Sequence, residues 1–163
     1  MAHLLIQVKK KMLRISKLTD YAIIILSHLV FNVERVTSAA WLAQKAHLTL
    51  PTVSKILKIL TEAELVTSFR GQGGGYQLAR SPTEITVADV VSAIEGKLAM
   101  TECCARVNDC ALDSLCAVKE NWRVINKMIF SVLAGLTLHD MIRPLARNVL
   151  RGIPVVVKGI EHD

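Results

Sequence analysis

Between Thr37 and Ala79 the hydrophobic pattern changes period from helical to alternating, and this stretch constrains the fold most. Thr37 and Ser38 offer an N-cap for a short helix from Ala39 to Ala46. His47-Leu48-Thr49 then breaks the pattern, and a second helix starts at Pro51, a good first-turn residue, and continues to about Ala63. Its inward stripe is Val53, Ile56, Leu57 and Leu60. Two short helices joined by three or four residues form a helix-turn-helix pattern. The turn often holds Gly; here the position is His47, a residue that tolerates the left-handed region better than most. Leu65 to Phe69 and Tyr76 to Ala79 read as two strands around the tip Arg70-Gly71-Gln72-Gly73-Gly74-Gly75. A hairpin after a helix-turn-helix is a wing. The expected fold is therefore mostly α with a small β wing: a winged helix-turn-helix domain followed by a long dimerisation helix.

This arrangement presents particular side chains. On the second helix Thr52, Ser54, Lys55 and Lys58 point away from the apolar stripe and can reach base edges and phosphates. Their bland alternative is a solvated helix face. Arg70, beside the glycine tip, is placed to enter a minor groove or to pair with phosphate, against the alternative of a solvated loop arginine. Gly73, Gly74 and Gly75 have no evident packing role and let the backbone approach a phosphate or groove closely. Lys plus Arg number 20 against 14 Asp plus Glu, giving a net charge of +6 and a pI near 9.3. That charge fits a double-stranded DNA partner but does not establish one.

The remaining segments organise around this unit. A helix from about Leu18 to Asn32, capped by Ser16 or Thr19, repeats Leu18, Tyr21, Ala22, Ile25 and Leu29 at helical spacing. Ile85 to Ile94 is a further short helix, with Thr86 as N-cap, Asp89 at the capping-box position and Gly96 as terminator. Ala117 to about Leu136 is a long helix with Val118, Trp122, Ile125, Ile129, Leu133 and Leu136 along one side. A long apolar helix outside a compact domain needs a partner, and a second copy is the simplest one. The chain divides into an extension (1–11), a DNA-binding unit (12–98), a cysteine loop (99–116), a dimerisation helix (117–140) and a tail (141–163). Aromatics make up only 4%, so the core is aliphatic. The longest apolar run, Tyr21 to Phe31, is interrupted by Ser27 and His28 and is too short to span a bilayer. Leu4 to Val8 precedes Lys9, Lys10 and Lys11, the reverse of a signal peptide. The expected compartment is the cytoplasm, with no membrane partner, and there thiols stay reduced.

Cys104, Cys110 and Cys116 are separated by five residues each. On a helix six residues advance about 240° beyond a full turn, so neighbours point apart. On a strand each sulfur lies roughly 20 Å from the next. The thiols meet only if Thr101 to Cys116 is a loop wrapped around something. Arg106, Asn108, Asp109, Asp113 and Ser114 are polar and loop-forming, which argues against three buried, inert thiols; Cys103 fits that inert reading better. Structural zinc prefers gaps of two to four residues and four closed ligands. Thiolates suit an iron–sulfur cluster, whose fourth ligand comes from elsewhere. An enzyme with a reactive thiol or cluster would need an acid–base pair beside it. No such constellation stands out, and His3, His28, His47, His139 and His162 are scattered.

From about Met12 to Leu145 the chain resembles the IscR/NsrR-type winged-helix transcription regulators. The matching stretches are Lys17-Leu18-Thr19-Asp20-Tyr21-Ala22, the wing Arg70 to Tyr76, and the Cys-x5-Cys-x5-Cys loop. Leu50-Pro51-Thr52-Val53-Ser54-Lys55 and the pair Cys103-Cys104 look most like the regulators of the SUF iron–sulfur assembly operon. The resemblance implies a homodimer with a long crossing helix, a [2Fe-2S] or related cluster on Cys104, Cys110 and Cys116, and Arg70 in the minor groove. Two departures matter. Lys119 stands where IscR-like members have a His ligand, while Asp20 matches the position of an Asp that NsrR-like members supply from the partner's first helix. Asp20 is therefore the candidate fourth ligand, with Glu120 behind it; the competing reading of Asp20 is a first-turn carboxylate stabilised by the helix dipole. Ser54 also replaces an acidic residue of the IscR recognition helix, so operator preference does not carry across. The implied function is a cluster-sensing repressor of iron–sulfur assembly genes, with a nitric oxide or redox sensor of the same family as the alternative.

Overall fold

The computed structural model describes residues 15–101, 104 and 115–145. The expected extension over 1–11, Cys103, Cys110, most of the cysteine loop and the tail beyond 145 lie outside the described residues. The elements run α1 (Lys17–Val30), α2 (Ala39–Ala46), α3 (Leu50–Glu62), β1 (Val66–Phe69), β2 (Gly75–Leu78), α4 (Val87–Glu95), α5 (Lys119–Ala134) and α6 (Leu138–Met141).

Local chemistry sets these boundaries. Ser16 caps α1, its side chain accepting from the Thr19 amide, and Ser38 caps α2 by accepting from Trp41. Asn32 Nδ2 donates to the His28 carbonyl at 2.8 Å, covering one of the open acceptors at the end of α1. That contact helps close α1 at Val30, two residues sooner than its periodicity suggests. Thr86 and Asp89 form the expected capping box at the start of α4, and Gly96 (φ 81°) follows its last residue.

The core gathers the apolar stripes of four helices and the wing. Ala22, Ile25, Leu26 and Leu29 of α1 meet Leu42 of α2, the stripe Val53, Ile56, Leu57 and Leu60 of α3, and Val90 of α4. Leu65, Val66 and Leu78 bring the base of the hairpin into the same cluster. Each Leu, Ile or Val among them, when fully buried, contributes about 1.5–3 kcal/mol. β1 and β2 pair antiparallel, from Val66 opposite Leu78 to Phe69 opposite Gly75.

Helix α5 behaves differently. It packs against α4, yet none of its residues is buried. Trp122, Val124, Ile125, Met128 and Phe130 are all exposed. The helix also ends at Ala134, sooner than the expected Leu136. Past Gly135 the chain turns back onto the segment that leads into α4. The Val87 amide donates to the Leu136 carbonyl at 2.8 Å, the Leu138 amide to the Ile85 carbonyl at 2.9 Å, and Leu138 is fully buried in the core. Sequence periodicity ran α5 on through this return because Leu133 and Leu136 keep helical spacing. Among the described residues no helix is long and apolar enough to cross a membrane.

Candidate nucleic-acid interface and cysteine site

The turn between α2 and α3 depends on one residue. His47 takes the left-handed conformation (φ 53°, ψ 38°) and caps α2, while the Leu48 amide donates to the Ala43 carbonyl at 3.0 Å. This is the conformation expected for a residue in the glycine position of the turn. Helix α3 then starts at Leu50 with Thr49 as N-cap, and Pro51 sits in its first turn. Thr49 makes no side-chain cap; its hydroxyl pairs instead with that of Thr52 at 2.8 Å.

Burial splits α3 into two faces. Val53, Ile56, Leu57 and Leu60 are fully buried, whereas Ser54, Lys55 and Lys58 are exposed and Thr52 is half-buried. Lys58 lies 3.9 Å from Glu62, an exposed contact of little energetic consequence. Leu50 is an exposed apolar residue at the head of this helix, outside its inward stripe.

Arg70 is exposed at the wing tip. The glycines behind it have two distinct duties. Gly71 (φ 102°) and Gly73 (φ 82°) take backbone angles that side chains resist. Gly74 and Gly75 are instead there for closeness: an added Cβ would meet the Phe69 carbonyl oxygen at 2.5 Å in the first case and the Thr37 carbonyl oxygen at 2.5 Å in the second. Thr37 and Tyr76 exchange backbone hydrogen bonds of 2.9 and 2.8 Å, so the return strand is laced to the residue before the α2 cap. Sequence reasoning gave these glycines no packing role; backbone-to-backbone packing leaves no side-chain pattern to read.

Two members of the cysteine set are described. Cys104 and Cys116 are half-buried free thiols. The Thr101 hydroxyl donates to Cys104 Sγ at 3.3 Å, and the Cys104 amide donates to the Thr101 carbonyl at 3.0 Å. The Lys119 amide donates to the Cys116 carbonyl at 3.3 Å, placing that cysteine directly before α5. Asp20 is exposed on the first turn of α1, and Glu120 is engaged by Arg123 at 2.8 Å. Among the described residues no three His, Cys, Asp or Glu side chains come together, so Asp20 does not join Cys104 and Cys116 within one chain.

The segment that leads from α4 toward Cys104 is held on both sides. Glu95 Oε1 accepts from the Ser16 amide at 3.0 Å and from the Thr19 hydroxyl, joining the end of α4 to the start of α1. Burial pushes the Glu95 carboxyl up, and the hydrogen bonds from Ser16 and Thr19 more than reverse this, leaving it below its ordinary value. Three residues on, the Asn126 side chain of α5 accepts from the Met100 amide and donates to the Leu98 carbonyl, both at 3.1 Å. Neither the Glu95 nor the Asn126 contact is legible in the sequence, since neither residue belongs to a spacing motif.

Known proteins with these features are regulators of transcription. The sequence profile of the Rrf2 family, described as an iron-dependent transcriptional regulator, matches residues 15–144. Protein aau3 of Rhizobium meliloti is 34% identical over 148 residues, covering 90% of this chain and 96% of that protein. The structure of CymR, the global cysteine regulator of B. subtilis, superposes with a TM-score of 0.64 at 31% identity, covering 80% of this chain and 97% of that one. T. potens IscR superposes with a TM-score of 0.61 at 30% identity, covering 79% and 85%. The helix-turn-helix, the wing and the match over residues 15–144 together show that this chain belongs to the Rrf2 family of DNA-binding transcriptional regulators and is not an enzyme.

Proposed function

We propose that the protein is a homodimeric, iron–sulfur-sensing repressor of cluster-assembly (SUF-type) genes. The observation that carries this reading is the placement of the cysteines: Cys104 and Cys116 flank a segment that joins the DNA-binding unit to an exposed apolar helix. Sulfur donors of this kind suit a cluster better than a hard metal ion, and Cys104, Cys110 and Cys116 are the residues that would hold it. Such a cluster, a [2Fe-2S] group or a relative, would cross-link the loop and give it two states, loaded and empty. Asp20, at the position where the resemblance puts a ligand from the partner's first helix, would enter the set from the partner subunit.

The chain's own residues supply the rest. Trp122, Ile125 and Met128 form the exposed apolar side that a second α5 covers. Two α3 helices then meet successive major grooves, with Thr52, Ser54, Lys55 and Lys58 on the DNA side and Arg70 reaching the flanking minor groove, where Gly73, Gly74 and Gly75 let the wing lie close. Spacing between the two α3 helices must match the half-site spacing, so a small change at the dimer helix alters affinity.

Anaerobically purified protein tests the reading through its visible absorption, its iron and sulfide content, and its operator affinity at fixed salt with and without the cluster. A brown protein with state-dependent affinity is expected; a colourless, zinc-loaded protein, or equal affinity in both states, sinks it. A second reading, that the cysteines respond to nitric oxide or to redox state, draws on the likeness to CymR, named for cysteine regulation. Titrating each reagent against DNA release separates the two signals.

A further inference from the structure

We propose that Asn126 is the positioning residue through which the cysteine loop sets the pose of the dimer helix, with Glu95 as the fixed anchor on the opposite side. This rests on the reading that the loop carries a cluster, and it names how that site is coupled to DNA.

The geometry is specific. Asn126 accepts from the Met100 amide and donates to the Leu98 carbonyl, so one planar carboxamide grips a donor and an acceptor two residues apart. Two hydrogen bonds on one rigid group fix both the height and the roll of α5 against that backbone. Two other polar groups on α5 stay local. Arg123 pairs with Glu120, and Ser131 donates to the Lys127 carbonyl, both within the helix. Asn126 reaches across 26 and 28 residues of sequence, and it is half-buried, so water competes less well for its partners.

The gripped segment has ties at both of its ends. Glu95, in the last turn of α4, holds the first turn of α1 through Ser16 and Thr19, and Asp20 is the next residue of that turn. Beyond Met100, Thr101 binds the Cys104 sulfur through its hydroxyl. The span from Glu95 to Cys104 thus touches α1, α5 and a cysteine in turn. With Glu95 holding one end to the DNA-binding unit, a displacement at Cys104 is passed to Leu98 and Met100. It then either breaks the Asn126 pair or carries α5 with it. An apolar contact at position 126 would let the backbone slide past.

The test uses the full-length protein and an operator selected from a random DNA pool with the wild type. Operator affinity is measured with and without cluster for the wild type, Asn126→Leu and Asn126→Asp, with iron content and visible absorption recorded for each. Coupling between two sites commonly changes affinity about 5- to 150-fold. Asn126→Leu is expected to bring that ratio to about one while cluster content and the affinity of one state stay as in the wild type. Asn126→Asp keeps the acceptor for Met100 and loses the donor to Leu98, so its ratio is expected to fall between the two. An Asn126→Leu protein that keeps the wild-type ratio at full cluster content overturns the proposal and leaves the sensor reading intact. Amide exchange in the wild type provides a readout that needs no variant. The Met100 amide and the α5 amides are expected to change protection together when the cluster is removed. A Met100 amide that exchanges identically in both states overturns the proposal. A wild type whose affinity ignores the cluster overturns both the sensor reading and the role of Asn126.

Discussion

Thr86 and Thr137 face each other as an antiparallel bridge, and each is also the N-cap of a helix with its own capping box. The two boxes use the same chemistry, Thr86 with Asp89 and Thr137 with Asp140, on segments that lie far apart in sequence. Fixing one cap therefore helps to place the other. Thr137→Ala is expected to lower unfolding stability by about 1 kcal/mol, the usual cost of a lost cap. Denaturant unfolding of the variant against the wild type checks this, and an unchanged midpoint would show that the bridge alone holds α6.

Acid should loosen the same connections. The Thr137 side-chain hydrogen bond, then its backbone bond, hold the Asp140 carboxyl below its ordinary value, and Glu95 is depressed in net by Ser16 and Thr19 despite the opposing effect of burial. A carboxyl with a folded-state pKa below its unfolded one binds fewer protons when folded. Its contribution is complete above the unfolded pKa and is lost as pH falls through the folded one. Stability should thus decline on the acid side of the ordinary carboxylate range. Glu95→Gln is expected to flatten that decline, measured by urea unfolding at stepped pH, and an identical acid slope would exclude Glu95 from it.

Gly75, like Gly74, has no room for a side chain. Gly75→Ala drives a methyl group against the Thr37 carbonyl and is expected to cost about 1–3 kcal/mol. His47→Gly should have the opposite sign. Relief of the left-handed strain, about 1–2 kcal/mol for a residue with a Cβ, exceeds the added chain entropy, so a gain of a few tenths to 1 kcal/mol is expected. Thermal unfolding of both variants reads the two directions at once.

Arg70 at the wing tip should act through charge. Arg70→Ala is expected to weaken binding to the selected operator and to reduce the salt slope of log affinity by about one. A variant that loses affinity with an unchanged slope would point to a lost shape contact rather than a lost phosphate contact.

Asp20 lends itself to a mixed-dimer experiment. If the ligand crosses between subunits, a dimer of one Asp20→Ala chain and one chain lacking Cys104, Cys110 and Cys116 retains a single complete set. Its visible spectrum should match the wild type at half the iron per dimer. A wild-type spectrum in the Asp20→Ala homodimer would remove Asp20 from the set.

Much of this fold could be read from residue order because its determinants are local. The stripe of α3, the Thr86–Asp89 box and the turn at His47 each depend on neighbours a few residues away, and each is where the pattern put it. The misses share another character. The end of α5, the return of Leu138 to the core, the lacing of Gly75 to Thr37, and the grips of Glu95 and Asn126 all join residues distant in sequence. Hydrophobic period cannot report a backbone carbonyl meeting a glycine or a side-chain amide. The presented residues Ser54, Lys55, Lys58 and Arg70 are exposed as expected, while what each would touch on DNA depends on a partner the chain does not contain.

The burial of Leu138 gives α5 a mechanical character. The far end of the helix is pinned to the DNA-binding unit through Leu136 and Leu138, while its near end starts beside Cys116. A helix of 16 residues is about 24 Å long. A tilt of about 5° about that pinned end would swing the cysteine end by about 2 Å on this length, straining the Asn126 grip on the way. A disturbance at Cys116 would then reach α5 as rotation about its far end rather than as a slide along its axis, and in the dimer proposed above rotation is what would change the angle between the two helices.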